Sequence, residues 1–179
     1  MTRTRIAVVG GAGAMGRITI RDLAETVPAG IDLVLADRDV ATARKVAAML
    51  PRRVKVVAAD ASSPDALARA LDRVGIIVNS CHHSMNLAVM DAALKLGAHY
   101  CDLGGLFHVT KRQLRRHAEF KRAGLLALCG IGSAPGIVNV MARAGWTGST
   151  AWMRSTSLSG PWTGRRGWGR RFSTSRTRC

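Results

Sequence analysis

Three glycines in the stretch VVGGAGAMG, Gly11, Gly13 and Gly16, have the spacing G-x-G-x-x-G. They lie between an apolar run, RIAVV (residues 5–9), and a helix-length segment, AMGRITIRDLAE (14–25). Each glycine has its own physical task in such a place. Gly11 permits a tight turn, Gly13 lets the backbone approach a pyrophosphate, and Gly16 lets helix and strand pack closely. The amides of Ala14 and Met15 open the helix and would offer free N–H groups, at the positive end of its dipole, to phosphate oxygens. The spacing alone is a weak signal. A strand before it, a helix after it and an acid at the end of the next strand make it a dinucleotide-binding pattern.

That acid is Asp37, which closes the run DLVLAD. A carboxylate there can accept hydrogen bonds from ribose hydroxyls and would repel a 2′-phosphate, so it favours NAD over NADP. Arg38 points the other way, because a guanidinium can pair with that phosphate. The balance leans to NAD, with NADP left open. The alternative is that Asp37 and Arg38 are ordinary solvated loop charges.

Four further stretches end apolar runs. In AADAS (58–62), Asp60 and Ala61 would flank the adenine, although Asp is also a common turn residue. In VNSCHHSMN (78–86), Asn79 and Ser80 could bond the ribose or the amide. His82 and His83 are adjacent, so their side chains point apart, and no third ligand has chelating spacing; no metal site is expected. A proton-transfer role for either histidine is the minor alternative to a loop role. In HYCDLGG (99–105), Asp102 stands at a strand end with Gly104 behind it, where a carboxylate can hold a substrate ammonium or move a proton. A turn or helix cap fits its position equally. In GIGSAPGIVN (130–139), Ser133 can cap a helix that Pro135 and Gly136 enter, either as a simple helix start or as one wall of a reaction site.

The elements needed to position these residues are legible up to Gly145. Strand-like runs at 5–9, 32–36, 54–59, 75–80, 99–103 and 125–129 alternate with helical segments at 14–25, 40–50, 63–71, 86–97, 109–124 and from 136. Ser63 and Pro64 give one helix a cap and a first residue, and Gly97 ends another. Helix 109–124 is expected to face Leu114 and Ala118 inward, with its Lys and Arg solvated. Short strands joined by helices need crossovers, hence a mainly parallel sheet covered on both faces. The fold class is therefore α/β, a doubly wound, Rossmann-type domain over residues 1–145.

Composition changes after that point. The chain carries a net charge of +16, and residues 146–179 hold seven Arg, no acid and all four tryptophans (Trp146, Trp152, Trp162, Trp168). Neither helical nor strand periodicity persists there, so no stable fold is expected for this basic tail. Cys81, Cys101, Cys129 and Cys179 form no Cys-x-x-Cys pair. Half-buried free thiols and a reducing cytoplasm are expected. The N-terminal apolar run is too short for a signal or membrane helix.

Taken together, VVGGAGAMGR, LADRD, VNSCHHSMN, YCDLGG and GIGSAPGIVNVMA resemble the saccharopine dehydrogenase family, and within it most closely the NAD-dependent lysine 6-dehydrogenases. The resemblance runs from about Ile6 to Gly145. It implies oxidation at the carbon bearing an amine of an amino acid, with hydride transfer to nicotinamide. It also implies dinucleotide contacts at Gly11, Gly13, Gly16 and Asp37, and places Asn79, Asp102, Gly104, Pro135 and Gly136 around the nicotinamide and substrate. Relatives continue into a second domain that completes the substrate pocket and a homodimer. This chain departs from them after Gly145, so its own turnover stays open; a catalytically incomplete nucleotide-binding fragment is the alternative.

Two explanations compete for the tail. Arg clusters interleaved with Trp could bind nucleic acid through phosphates and stacked bases. The other is translation out of register. Tryptophan has a single codon, TGG, so the frame beginning at its last base must read Asp at Trp146–Thr147, Trp152–Met153 and Trp162–Thr163. Permitted codons in that frame give GVDRLDSVDEVHISVG from Gly145 and VFHVPYSL from Arg171, which resemble the way the family continues. The shifted frame is the favoured expectation, and nucleic-acid binding the disfavoured one.

Overall fold

The computed structural model of the chain describes residues 5–148. The expectations for the basic tail, the shifted frame included, lie outside the described residues, apart from a helix backbone that reaches Gly148. By its internal contacts the unit described below ends at Arg143.

Six strands alternate with helices in chain order: β1 (Arg5–Val9), α1 (Ala14–Thr26), β2 (Asp32–Asp37), α2 (Val40–Ala48), β3 (Lys55–Ala58), α3 (Pro64–Ala70), β4 (Ile76–Asn79), α4 (Asn86–Leu96), β5 (His99–Asp102), α5 (Phe107–Leu114), α6 (His117–Arg122), β6 (Ala127–Leu128) and α7 (Val138–Gly148). The strands form one sheet in the order β3-β2-β1-β4-β5-β6. Every pairing is parallel. The fold is thus the doubly wound α/β sheet that the sequence implies. Its order reverses between β1 and β4, which is where such sheets open a ligand crevice at their C-terminal edge.

The sheet has a core on each face because alternate side chains of a strand point to opposite faces. Ile6, Val8, Leu33 and Leu35 join Ile20 of α1 and Val46 of α2 on one side. Ala7, Val9, Val34 and Ala36 join Leu67 of α3, Met90 of α4 and Phe120 of α6 on the other. The central strands β1 and β2 are therefore apolar at nearly every position, as a doubly covered parallel sheet requires.

Local signals set the helix ends. Ser63 Oγ accepts from the Ala66 amide with Pro64 next to it, and Gly97 ends α4 at φ +66°. Asp39 caps α2 by accepting from Thr42 N–H at 3.0 Å. Three expectations need correction. The segment 109–124 is two short helices broken at Arg115–Arg116, not one. Leu114 is 64% exposed, and Val109, Gln113 and Phe120 are the buried residues there. The break turns the second half of the segment, so a single helical face does not run through it. Ser133 makes no capping bond, because the turn over Ser133–Ile137 begins at Gly132 without a side-chain cap. Among the described residues no helix is long and apolar enough to cross a membrane.

Candidate cofactor-binding site

The glycine segment turns sharply after β1. Gly10 adopts φ +76°, and its amide bonds the Ala36 carbonyl of β2 at 2.9 Å. Gly13 N–H returns to the Gly10 carbonyl at 3.0 Å, which closes the turn onto α1. A Cβ on Gly16 would collide with the Gly10 carbonyl oxygen, and one on Gly11 would stand 2.7 Å from Leu35 Cγ. Both glycines are required by close approach. Gly13, Ala14 and Met15 are exposed, and α1 starts at Gly13 with no side-chain cap. The first N–H groups of a helix have no intrahelical partner. This N-terminus keeps them free for an anion, with the dipole adding to the attraction.

Next to this loop lies a cavity of about 540 Å³. Its walls come from the ends of four strands and include Gly10, Gly13, Asp37, Asp60, Ser80 and His82. Arg38 and Ala61 line it as well. Asp37 Oδ2 accepts from Ala12 N–H at 2.9 Å and Oδ1 from Asp39 N–H at 3.0 Å. Asp60 Oδ1 accepts from the amide and hydroxyl of Ser62 at 2.9 and 2.7 Å. The Ser62 hydroxyl, then the Ser62 amide, hold the Asp60 carboxyl below the ordinary range, and the Arg38 charge adds to that. Asp60 is thus both a turn former and a wall of the cavity.

The residues fit a nicotinamide dinucleotide on two local observations. Ser80 Oγ is buried at the cavity with no hydrogen-bond partner. Such an orphan is costly unless a ligand or water bonds it. The second is the uncapped start of α1, where exposed Gly13 also lines the cavity.

Cys81 lines the same cavity. Burial, reinforced by the Asp37 charge, pushes its thiol up to about 11, so it is a neutral wall at physiological pH and no nucleophile.

Other expected site residues are placed elsewhere. Asn79 is buried, with 1% exposure. Its Nδ2 donates to Asn86 Oδ1 at 2.9 Å and Tyr100 Oη at 3.3 Å, and its Oδ1 accepts from Cys81 N–H. Its side chain is spent inside the protein and does not face the cavity. Asp102 is equally buried. Oδ1 accepts from the amides of Gly104 and Gly130 at 2.7 and 2.8 Å. Oδ2 accepts from Tyr100 Oη at 2.8 Å and Gln113 Nε2 at 2.6 Å. With four internal donors this carboxylate has no direction open to a substrate ammonium, so that expected role gives way to an internal one. Gly104, Pro135 and Gly136 lie around the neighbouring loops and outside the cavity walls.

Sequence reasoning missed Tyr100, Asn86 and Gln113, the partners of that network. One signal was available: Tyr100 and Asp102 are two apart on one strand and so share a face. Among the described residues no group of three His, Cys, Asp or Glu is placed to hold a metal ion. His82 Nδ1 lies 2.9 Å from Ser84 Oγ, and the rings of His82 and His83 meet tilted at 43° with centroids 3.8 Å apart, so the two side chains do not point apart as expected.

Fold order, glycine turn, uncapped helix and strand-end carboxylate are those of a Rossmann-type dinucleotide-binding domain. Residues 6–128 match the family model for the saccharopine dehydrogenase NADP binding domain, and the chain belongs to that family. It is 32% identical over 139 residues to a carboxyaminopropylagmatine dehydrogenase of Synechocystis sp., covering 73% of this chain and 35% of the relative. The apo saccharopine dehydrogenase (L-Glu forming) of Saccharomyces cerevisiae superposes with TM-score 0.69 at 19% identity, over 81% of this chain and 31% of that one. An NADPH-dependent quinone oxidoreductase of Escherichia coli, complexed with NADPH, superposes with TM-score 0.54 at 23% identity, over 69% of this chain and 47% of that one. These two share the fold. The chain spans about a third of the length of the first two relatives.

Proposed function

We propose that the domain ending at residue 145 binds a nicotinamide dinucleotide across the C-terminal edge of β1 and β4, with NAD preferred over NADP. The observation that carries this reading is the uncapped N-terminus of α1, set by the Gly10–Gly16 turn beside a cavity lined by Asp37 and by Ser80, whose buried Oγ has no hydrogen-bond partner. In this reading the α1 amides bind pyrophosphate. Asp37 accepts from the adenosine ribose, Asp60 and Ala61 border the adenine, and Ser80 bonds the ribose or amide of the other half. Asp37 supports NAD because a 2′-phosphate would meet its charge; Arg38, whose charge acts on Asp60, is the residue that would favour NADP. The cofactor, when bound, supplies a hydride acceptor.

Support for the substrate class comes from the saccharopine dehydrogenase family and from the 32% identical relative, which is a carboxyaminopropylagmatine dehydrogenase. The reaction would be oxidation of a CH–NH or CH–NH2 carbon by a longer protein of which this domain is the cofactor-binding part. The test is a titration of the 179-residue chain with NADH and NADPH, followed by nicotinamide fluorescence. The reading expects saturable binding that is tighter for NADH and lost in Gly13→Val. Equal fluorescence in wild type, variant and buffer would overturn it.

A second reading concerns the tail alone. We propose that residues 146–179 are read out of register, on the strength of the Asp codons that every Trp–Thr and Trp–Met pair forces in the neighbouring frame. The nucleotide sequence past the Met141 codon tests this. An offset frame that stays open through several hundred bases is expected; one that closes at once would leave the tail genuine and make salt-dependent nucleic-acid binding the next experiment.

A further inference from the structure

The polar groups buried at the strand ends form one connected network. It runs from Cys81 N–H through Asn79, Asn86 and Gln113 to Asp102, with Tyr100 Oη between them. Asn79, Asn86, Gln113 and Asp102 are each 1% exposed, and Tyr100 is 2% exposed. Buried polar groups at such depth persist when every member is satisfied. These are: Asn79 uses both amide protons, and Asp102 has a donor pair at each oxygen. Burial, then the Asp102 charge, push the Tyr100 phenol well above its ordinary range, so it stays a donor to that carboxylate.

The network ends on backbone. Asp102 Oδ1 holds the N–H groups of Gly104, on the loop after β5, and Gly130, on the loop after β6. The Asp102 carbonyl also accepts from Ile131 N–H at 2.9 Å. Both glycines have positive φ, +96° and +75°. A Cβ on Gly104 would be 3.2 Å from Gly130 Cα, and one on Gly130 would be 3.2 Å from Pro135 Cγ. One carboxylate oxygen therefore draws two loops into backbone contact, at positions where only glycine has both the conformation and the space. The β5 loop in turn touches the cavity side: a Cβ on Gly105 would collide with His83, whose neighbour His82 lines the cavity.

We infer that Asp102 is a positioning residue for the nicotinamide half of the site: it clamps the Gly104 and Gly130 loops together, and through Tyr100, Gln113, Asn86 and Asn79 it ties them to the β4 loop that carries Ser80. This rests on the cofactor reading above. Asp102 touches no cofactor itself. The adenosine half is served by the ends of β1, β2 and β3, where the network has no member, so the two halves of the dinucleotide respond differently when the clamp is loosened.

The experiment compares NADH with ADP-ribose, which lacks nicotinamide, on the 179-residue chain and its Asp102→Asn variant. In Asp102→Asn the new NH2 group faces the donors of Tyr100 and Gln113. NADH affinity is expected to fall roughly tenfold, the size of losing one or two charge-assisted bonds, with ADP-ribose affinity unchanged. The double variant D102N/Q113E restores a donor–acceptor match at the same net charge and is expected to recover NADH binding. If D102N does not fold, Tyr100→Phe removes one donor and leaves three, and is expected to show the same NADH-selective loss at smaller size. Equal losses for both ligands, or no loss for either, in whichever variant folds, would overturn the inference while leaving the cofactor reading standing. A wild-type chain that binds neither ligand would overturn both.

Discussion

The Asp37 carboxylate accepts a hydrogen bond from the Ala12 amide at 2.9 Å, so the end of β2 is bonded directly to the glycine turn after β1. The same group would meet the ribose and repel a 2′-phosphate. Asp37→Ser removes the charge but keeps an acceptor. The ratio of NADH to NADPH affinity is expected to shift toward NADPH by roughly tenfold, in line with one charge-assisted interaction. Paired titrations of both nucleotides check it; an unchanged ratio would remove Asp37 from the specificity account.

Two glycine variants separate close packing from mere flexibility. A Cβ on Gly16 meets backbone of Gly10 and Gly11, whereas one on Gly30 meets nothing within 4 Å. Gly16→Ala is expected to destabilise the domain by about 2 kcal/mol or more, because backbone must shift. Gly30→Ala is expected to be neutral or slightly stabilising, since it restricts the unfolded chain. Denaturant midpoints measured side by side decide between them.

Arg52 gathers the loop between α1 and β2. Its guanidinium donates to the carbonyls of Val27, Pro28, Ala29 and Ile31, at 3.0, 3.3, 3.3 and 2.7 Å. Arg52→Ala leaves partly buried carbonyls without a donor and is expected to cost about 1–3 kcal/mol. Arg52→Lys recovers only part of that, because an ammonium cannot span four acceptors with the planar fork. Chemical denaturation of the three proteins is the check.

Alkaline pH should weaken the fold. Burial first, and neighbouring carboxylates second, push the thiols of Cys81, Cys101 and Cys129 from 9.0 up to about 11. An unfolded chain loses those protons near pH 9 while the folded one keeps them. The unfolded state therefore binds fewer protons above pH 9, and stability falls as pH rises from 9 toward 11. The expected result is a melting temperature that declines through this window, and less steeply in a Cys81→Ala/Cys101→Ala variant. A flat profile to pH 11 would contradict the burial of these groups.

Much of the architecture was readable from the sequence because helices and strands here carry their own punctuation. Ser63–Pro64 and Gly97 mark ends that the backbone then adopts. The glycine turn was readable because its spacing answers a backbone requirement that no other residue meets. Asp102 was harder. Its position after a strand is the same whether it meets a ligand or its own chain, and only tertiary structure brings Gly130 and Gln113, 28 and 11 residues away, onto its oxygens. The same holds for Asn79, whose partners Asn86 and Tyr100 come from two other elements. Helix 109–124 misled for a related reason: a charged surface conceals the break at Arg115–Arg116, and Arg116 there pairs with Asp91 and Glu119.

The central claim is that the uncapped start of α1 and the strand ends beside it hold a nicotinamide dinucleotide. Amide chemical shifts of the 179-residue chain followed during an NADH titration test it residue by residue. The account predicts saturable shifts at Gly10–Gly16, Asp37–Asp39, Asp60–Ser62 and Ser80–His82. No shifts, or shifts confined to the second cavity of about 370 Å³ around Gln113, Phe120 and Leu126, would contradict it.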